Sequence, residues 1–439
     1  MTWLQRFQVR HFFRHSLWIL PAFSLPAALI AVRVTDEIDR LLALESSFDP
    51  EAMRTLLGIL AGSLFTVVVF VCSALLIAVQ LASAQLTPRI IALVFRDPTT
   101  KISLALFVFV FTFSLSVLIR IKSAVPLLGA YAATYGFMLS LVAFLYLVDH
   151  LGRALRPSGA LRVVGRLGTK VIKDVYSRRF DQAQETRTSS EIALAGNPSR
   201  VFPSHRSGAV LAFDVPGLRD LAQRSDCVIE LVPQVGDFVT TGSPLFRVYG
   251  GKHDLGTDAL YQSVAVGQER TLQQDPTLAF RIMVDVASKA LSPAINDPTT
   301  AVLALDQIHH LLRNVGGRCL DDERVRDATG RLRLIYRTPD WEAFVHLAVT
   351  EIRHFGSESI QIARRLRAML EDLVQCVPRE RVPLLQQELQ LLDRSVKRFF
   401  QEPEDRALAD VGDLQGVGGS QEESGNTTHS GVDNRIPSF

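Results

Sequence analysis

Four apolar stretches, each about the 20 residues a helix needs to cross a bilayer, crowd into the first 150 positions. They are Leu17–Val34, Leu56–Leu81, Ile102–Ile121 and Val125–Val148, and none carries a charge near its middle. A chain built this way must satisfy lipid first, and only its remaining residues can form a water-facing core. The mean hydropathy of +0.19 fits that division. So does the use of Phe 25 times against 7 Tyr and 3 Trp.

The first stretch has a basic lead, Arg6, Arg10 and Arg14, and so needs to be separated from a signal peptide. It is long, lacks a small-x-small cleavage site and precedes three more spans, so it reads as a retained helix that Pro21 and Pro26 kink or shorten. Fourteen basic residues flank the spans on one side: the lead, the loop with Arg89, Arg96 and Lys101, and the segment from Arg153 to Arg179. The other side has five, and its first loop is acidic. The positive-inside rule then places both termini in the cytoplasm. Four Cys with no pairing pattern agree with a reducing compartment.

In the second stretch Ala74, Ala78 and Ala82 recur every four residues, and Gly58 and Gly62 repeat that spacing nearer its start. Small residues at this period allow close helix approach, either within one chain or as an oligomer or pore seam. The stretch continues toward Thr87 and is expected to break at Pro88. Phe107, Phe109, Phe111 and Phe113 alternate along the third stretch, which reads as a lipid-facing pattern. Thr112, Ser114, Ser116, Thr134 and Ser140 could line water or bond back to their own helices. With no ionisable residue inside a span, an ion-coupled carrier is disfavoured and an uncharged passage is left open.

The predicted organisation is a four-helix membrane domain (1–150), a basic juxtamembrane helix and linker (151–203), a β-rich barrel-like module (204–262), a helical domain (263–403) and a disordered tail (404–439). The fold class is therefore membrane α-helical plus a cytoplasmic α+β region. The basic amphipathic segment after Leu151 either lies on anionic lipid or packs beneath the bundle. Ser207–Asp214 alternates as a strand, Pro216–Ser225 reads as a short helix, and a tight turn is expected at Gly236–Asp237. The string VGDFVTTGSPLFRV resembles the half-barrel hairpin of biotinyl- and lipoyl-like domains. The modified lysine of those carriers has no counterpart, which argues against swinging-arm chemistry.

Asp275-Pro276 and Asp297-Pro298 each pair a capping Asp with Pro at the first helical position. Two helices joined by SPAIND follow. Arg281, Asp285 and Lys289 share one face of the first, and Arg270, Asp275, Asn296 and Asp297 gather at helix ends. These seven are the candidate contacts for a ligand or a second subunit; the plainer alternative is caps and a paired, solvated stripe. Three further helices are expected between Trp341 and Phe400.

QLASAQLTPRII with RDPTT, then VGDFVTTGSPL, QERTLQQDPTLAFRIMVDVASKALSPAINDPTTA and the trailing helices resemble the bacterial predicted-membrane-protein family called domain of unknown function 2254. The resemblance spans Leu17 to Phe400 and implies the architecture and a place in the bacterial inner membrane rather than an activity.

No Walker loop, HExxH, GxSxG or CxxC occurs. His309 and His310 face different ways on a helix, and Glu351, His354 and Glu358 lack the second helix a di-metal site needs. No catalytic residue, metal ligand or cofactor is expected, and a balance of 47 basic to 45 acidic residues gives no reason for nucleic acid. The expected partners are the lipid bilayer and further copies of the chain. The leading expectation is an oligomeric ion channel or passive pore with a cytoplasmic regulatory domain. The alternative is a membrane-anchored ligand sensor or scaffold.

Overall fold

The structure is a computed structural model that describes residues 1–42, 48–85, 87, 89, 97–122, 125–154, 156–180, 197–251, 255–321 and 323–418. Pro88 and most of the expected linker at 181–199 lie outside the described residues.

The chain opens with α1 (Trp3–His15), started by a capping box between Thr2 and Gln5. Four apolar helices follow: α2 (Ile19–Leu41), α3 (Pro50–Gln85), α4 (Pro98–Arg120) and α5 (Leu127–Ala154). Each is long and apolar enough to span a membrane. Helix α2 runs unbroken through Pro26. With 36 residues, α3 is about 54 Å long and outreaches a ~30 Å hydrocarbon core.

Helix α4 packs against α2, α3 and α5. That central position overturns the lipid-facing reading of its phenylalanines. Phe107 and Phe113 are buried, and Phe109 and Phe111 are half-buried. On α5 a Cβ at Gly136 would sit 3.2 Å from the Val110 methyls of α4, so Gly136 sets how close the two helices come. Charges stay at the ends of the spans. Arg54 donates to the Ile121 carbonyl at 2.6 Å, Arg120 pairs with Asp36, and Asp39 accepts from the Leu128 amide at 3.1 Å. At the opposite end Asp97 caps α4 through the Thr100 amide at 2.9 Å and meets His150 Nε2 at 3.1 Å.

Beyond the spans come α6 (Pro157–Val175), β1 (Arg200–Pro203), β2 (Gly208–Phe213), α7 (Val215–Arg224), β3 (Cys227–Leu231), β4 (Phe238–Val239), β5 (Pro244–Gly250), α8 (Thr257–Tyr261) and β6 (Val264–Gly267). Then follow α9 (Pro276–Ala290), α10 (Pro298–Gly316), β7 (Glu323–Arg326), β8 (Leu332–Tyr336), α11 (Trp341–Gly356), α12 (Ile360–Cys376), α13 (Val382–Phe399) and α14 (Pro403–Ala409).

The strands form two open sheets, ordered β1-β5-β3-β8-β7 and β4-β2-β6, and not a closed barrel. Strand β8 pairs parallel to β3, with Ile229 opposite Leu334. A parallel partner needs a long crossover, and α9 and α10 lie within it. The hairpin expected from VGDFVTTGSPLFRV is thereby split, with β4 in one sheet and β5 in the other. The six residues of β2 are all buried despite their alternation. Val210 and Phe213 enter the core between the sheets, while Ala209 and Leu211 are covered by Trp3, Leu4 and Phe7 of α1.

Helix α6 packs one face against α9 and α10, burying Leu161, Val164, Val171 and Ile172. A Cβ at Gly168 would lie 2.8 Å from Cβ of Ala279 on α9, which explains a glycine at this crossing. Arg162, Arg166, Lys170 and Lys173 occupy the exposed face. The first part of the expected disordered tail is held in place: Arg364 donates to the Val411 and Gly418 carbonyls, and the Asp413 amide donates back to the Arg364 carbonyl at 3.1 Å.

Candidate functional site

The residues singled out on α9 and its flanks fall into three places. At the start of α9, Asp275 is 1% exposed and accepts from the Leu278 amide at 3.1 Å and from Thr277 Oγ1 at 2.7 Å. Arg270 reaches it with Nε at 2.7 Å and also donates to Thr277 Oγ1. The guanidinium lies over the Gly236 turn, where φ is +98° and a Cβ would come within 2.6 Å of Arg270. The turn therefore requires glycine for both its backbone and its neighbour.

In the middle of α9, Arg281 forms a bidentate pair with Glu351 of α11, both contacts at 2.6 Å, and its Nε donates to Asp285 at 2.5 Å. Asp285 also pairs with Arg89, which lies beyond the end of α3. Hydrogen bonds to Glu351 raise the Arg281 pKa further, and the same bonds hold the Glu351 carboxyl below the usual carboxylate range. Lys289 is half-buried two turns on and has an interaction of its own.

At the far end, Asp297 caps α10 by accepting from the Thr300 amide at 3.1 Å, and its own amide donates to the Ala290 carbonyl at 2.8 Å. Asn296 takes up φ +46°, the left-handed conformation that Asn tolerates. The 15 residues of α9 put about 22 Å between the two capping ends. Arg270 and Asp275 therefore share no site with Asn296 and Asp297.

The small residues of α3 also part company. Ala78 is buried within the chain and Ala74 partly so, whereas Gly62 is exposed and Gly58 half-exposed. Twelve residues at about 100° each turn Ala74 some 120° away from Gly62. The side chain of Ala82 lies outside the described part. Thr112, Ser116, Thr134 and Ser140 all donate to the carbonyl four residues earlier. Glu351 is engaged by Arg281, and among the described residues no three His, Cys, Asp or Glu side chains converge as a metal site.

Sequence reasoning missed α1. The segment WLQRFQVRHFFRH places Trp3 and Phe7 on one face and Arg6 and Arg10 on another, an amphipathic signal that precedes the first span. Its apolar face rests on β2 and β6. Between α1, β6 and the loop before β2 lies a cleft of about 760 Å³. Arg270 is among the residues that line it.

A four-helix apolar bundle, joined through the Arg89–Asp285 ion pair and its leading helix to a mixed helical and sheet extramembrane part, defines a multi-pass membrane protein with a large domain outside the lipid. The chain belongs to the family described as "Predicted membrane protein (DUF2254)", which matches residues 14–372. It is similar to uncharacterised proteins of Mycobacterium bovis and Mycobacterium tuberculosis. Each is 27% identical over 429 residues, covering 92% of this chain and 80% of the relative. No solved structure matches it.

Proposed function

We propose that this chain is a membrane-embedded sensor, in which the state of the extramembrane domain is transmitted to the spans. The observation that carries this reading is the chain of charges Arg89–Asp285–Arg281–Glu351. It ties the segment after α3 to α9, and α9 in turn to α11. The basic excess at that end supports a cytoplasmic placement of the domain and of both termini, with the spans in the inner membrane.

Cys72 on α3 shares an apolar groove with Leu17, Trp18 and Pro21 at the head of α2. Cys227 and Cys319 are buried, so Cys376→Ser leaves Cys72 as the one exposed thiol. A bimane on Cys72 should be quenched by Trp18, which lines the same groove. Asp285→Asn, which cuts the tie, should change that quenching in full-length protein in lipid nanodiscs. Unchanged emission would remove the coupling on which the reading rests.

A self-associated pore is the second reading, favoured by Gly62, Thr66, Ser73 and Gln80, which face outward on α3 amid Ile, Leu, Val and Phe. It predicts discrete conductance in a planar bilayer that Ser73→Phe alters. A silent bilayer containing verified protein would count against it.

A further inference from the structure

We propose that the cleft beneath α1 binds a small amphipathic anion, an apolar body bearing a phosphate or carboxylate, and that its occupancy moves the first span. This deepens the sensor reading and rests on it for the second clause only.

The cleft is apolar above and below: Leu4 and Phe7 of α1 form the lid, and Leu211, Leu245 and Val264 of the sheets form the floor. Its rim carries His11, His205 and Arg206 against the single carboxylate of Glu269, with Arg270 behind them already held by Asp275. Arg206 is exposed and makes no ion pair with any described residue. His205 packs against Tyr261 with ring centroids 4.0 Å apart and the ring planes tilted by 51°. Thr271 also lines this space. Thr271 is 4% exposed, and its Oγ1 has no hydrogen-bond partner among the described residues. A volume of about 760 Å³ falls within the range of small-molecule pockets.

Helix α1 is lightly seated, touching the sheet mainly through Trp3, Leu4 and Phe7. Only Ser16, Leu17 and Trp18 separate it from α2. Whatever lifts or tightens α1 therefore pulls on the head of the first span, beside Cys72.

The ligand chemistry could come from the bilayer or from solution, and two probes separate the sources. Full-length protein in zwitterionic nanodiscs is titrated with dodecyl phosphate and with 1-naphthyl phosphate; dodecanol and inorganic phosphate supply the body alone and the charge alone. We expect one of the two amphiphiles to bind saturably at one per chain. Dodecyl phosphate alone would mark a lipid-derived ligand and naphthyl phosphate alone a soluble one. Both single-feature controls should bind at least about tenfold more weakly. Arg206→Glu, at an exposed position with no ion pair among the described residues, should weaken binding about tenfold, and Arg206→Lys should retain it. Leu211→Trp, which fills the floor, should abolish it. Dodecanol binding as well as dodecyl phosphate, an unaffected Arg206→Glu, or no saturable binding of either amphiphile would each overturn the proposal. Saturable binding that leaves the bimane on Cys72 unmoved would keep the pocket and overturn the link to the span. Either result is independent of the Asp285→Asn experiment.

Discussion

Inside the four spans the side chains meet by shape, and charge appears at helix ends, as in Arg54, the Asp36–Arg120 pair and the Asp97–His150 contact. In the extramembrane core a single helix, α12, buries Arg364, Arg365 and Arg367. Each of these is met: Arg364 by backbone carbonyls, Arg365 by Asp306 at 2.8 Å, and Arg367 by Asp393 and Asp410 at 2.7 and 2.9 Å. Both regions keep charge out of low dielectric unless it is partnered. They differ in where partners can come from. A spanning helix has its backbone groups engaged, and its lipid neighbours offer none. The extramembrane chain can fold loops and ends back over a helix, as residues 410–418 do over Arg364. The spans should therefore be sensitive to volume, and the extramembrane core to deletion of one partner from an ion pair.

The largest effect is expected at Glu388, which is fully buried and faces Arg353 Nε at 3.2 Å. Glu388→Ala strands the Arg353 guanidinium and should cost about 3–5 kcal/mol. Thermal unfolding of the full-length protein in detergent reads this directly. Arg353→Met together with Glu388→Leu should recover most of the loss, because an apolar pair of similar size needs no partner. If the double variant is no better than the single, the cost is one of packing and the contrast between the regions fails.

The spans supply the matching test. Gly136→Val pushes a branched side chain into the Val110 methyls, which already lie 3.2 Å from where a Cβ would be. Overpacking of this kind costs about 1–3 kcal/mol. Val110→Ala in the same chain should restore much of it, and Gly136→Ser, small but polar, should be milder than Val. A Ser variant worse than Val would mean that polarity rather than volume governs this seam.

How much of this was legible in the sequence differs between the two regions for the same reason. Span existence needs only length and apolarity, so all four were readable from Leu17 onward. Which face of a span is buried depends on its neighbours; the phenylalanines of α4 are inside because α4 is surrounded, and no local pattern announces that. The caps at Asp275 and Asp297 were readable because a cap is a local device. The pairing of β8 with β3 was not, since Ile229 and Leu334 lie more than a hundred residues apart. The candidate site was legible as residue types and not as a place. Arg281 and Asp285 met a carboxylate on α11 and an arginine beyond α3, while Asn296 and Asp297 closed a loop at the other end. The cleft under α1 escaped because its floor comes from both sheets and its lid from a helix more than two hundred residues away.

The smallest expected effect sharpens the extramembrane side of the comparison. Arg365 donates to His309 Nδ1 at 3.2 Å, so the ring proton belongs on Nε2, which meets Asp372 at 2.7 Å. A second proton would place an N–H against the arginine's own N–H. Burial and then the nearby Arg365 charge depress the pKa, outweighing the pull of Asp372. An unfolded chain, with an ordinary histidine value of 6.5, takes up that proton first as pH falls. The stability His309 contributes is therefore complete above 6.5 and is lost as pH falls from there through the folded value. His309→Gln keeps the size and a hydrogen bond to Asp372 but cannot titrate. Its unfolding temperature should fall less steeply below that pH than the wild type's, with the two converging in slope above it. Parallel curves across the range would assign the acid sensitivity to a carboxylate, with Glu351 the first to test. Its pKa is lowered by Arg281, so its contribution is lost only at more acidic pH, as pH falls through its own folded value.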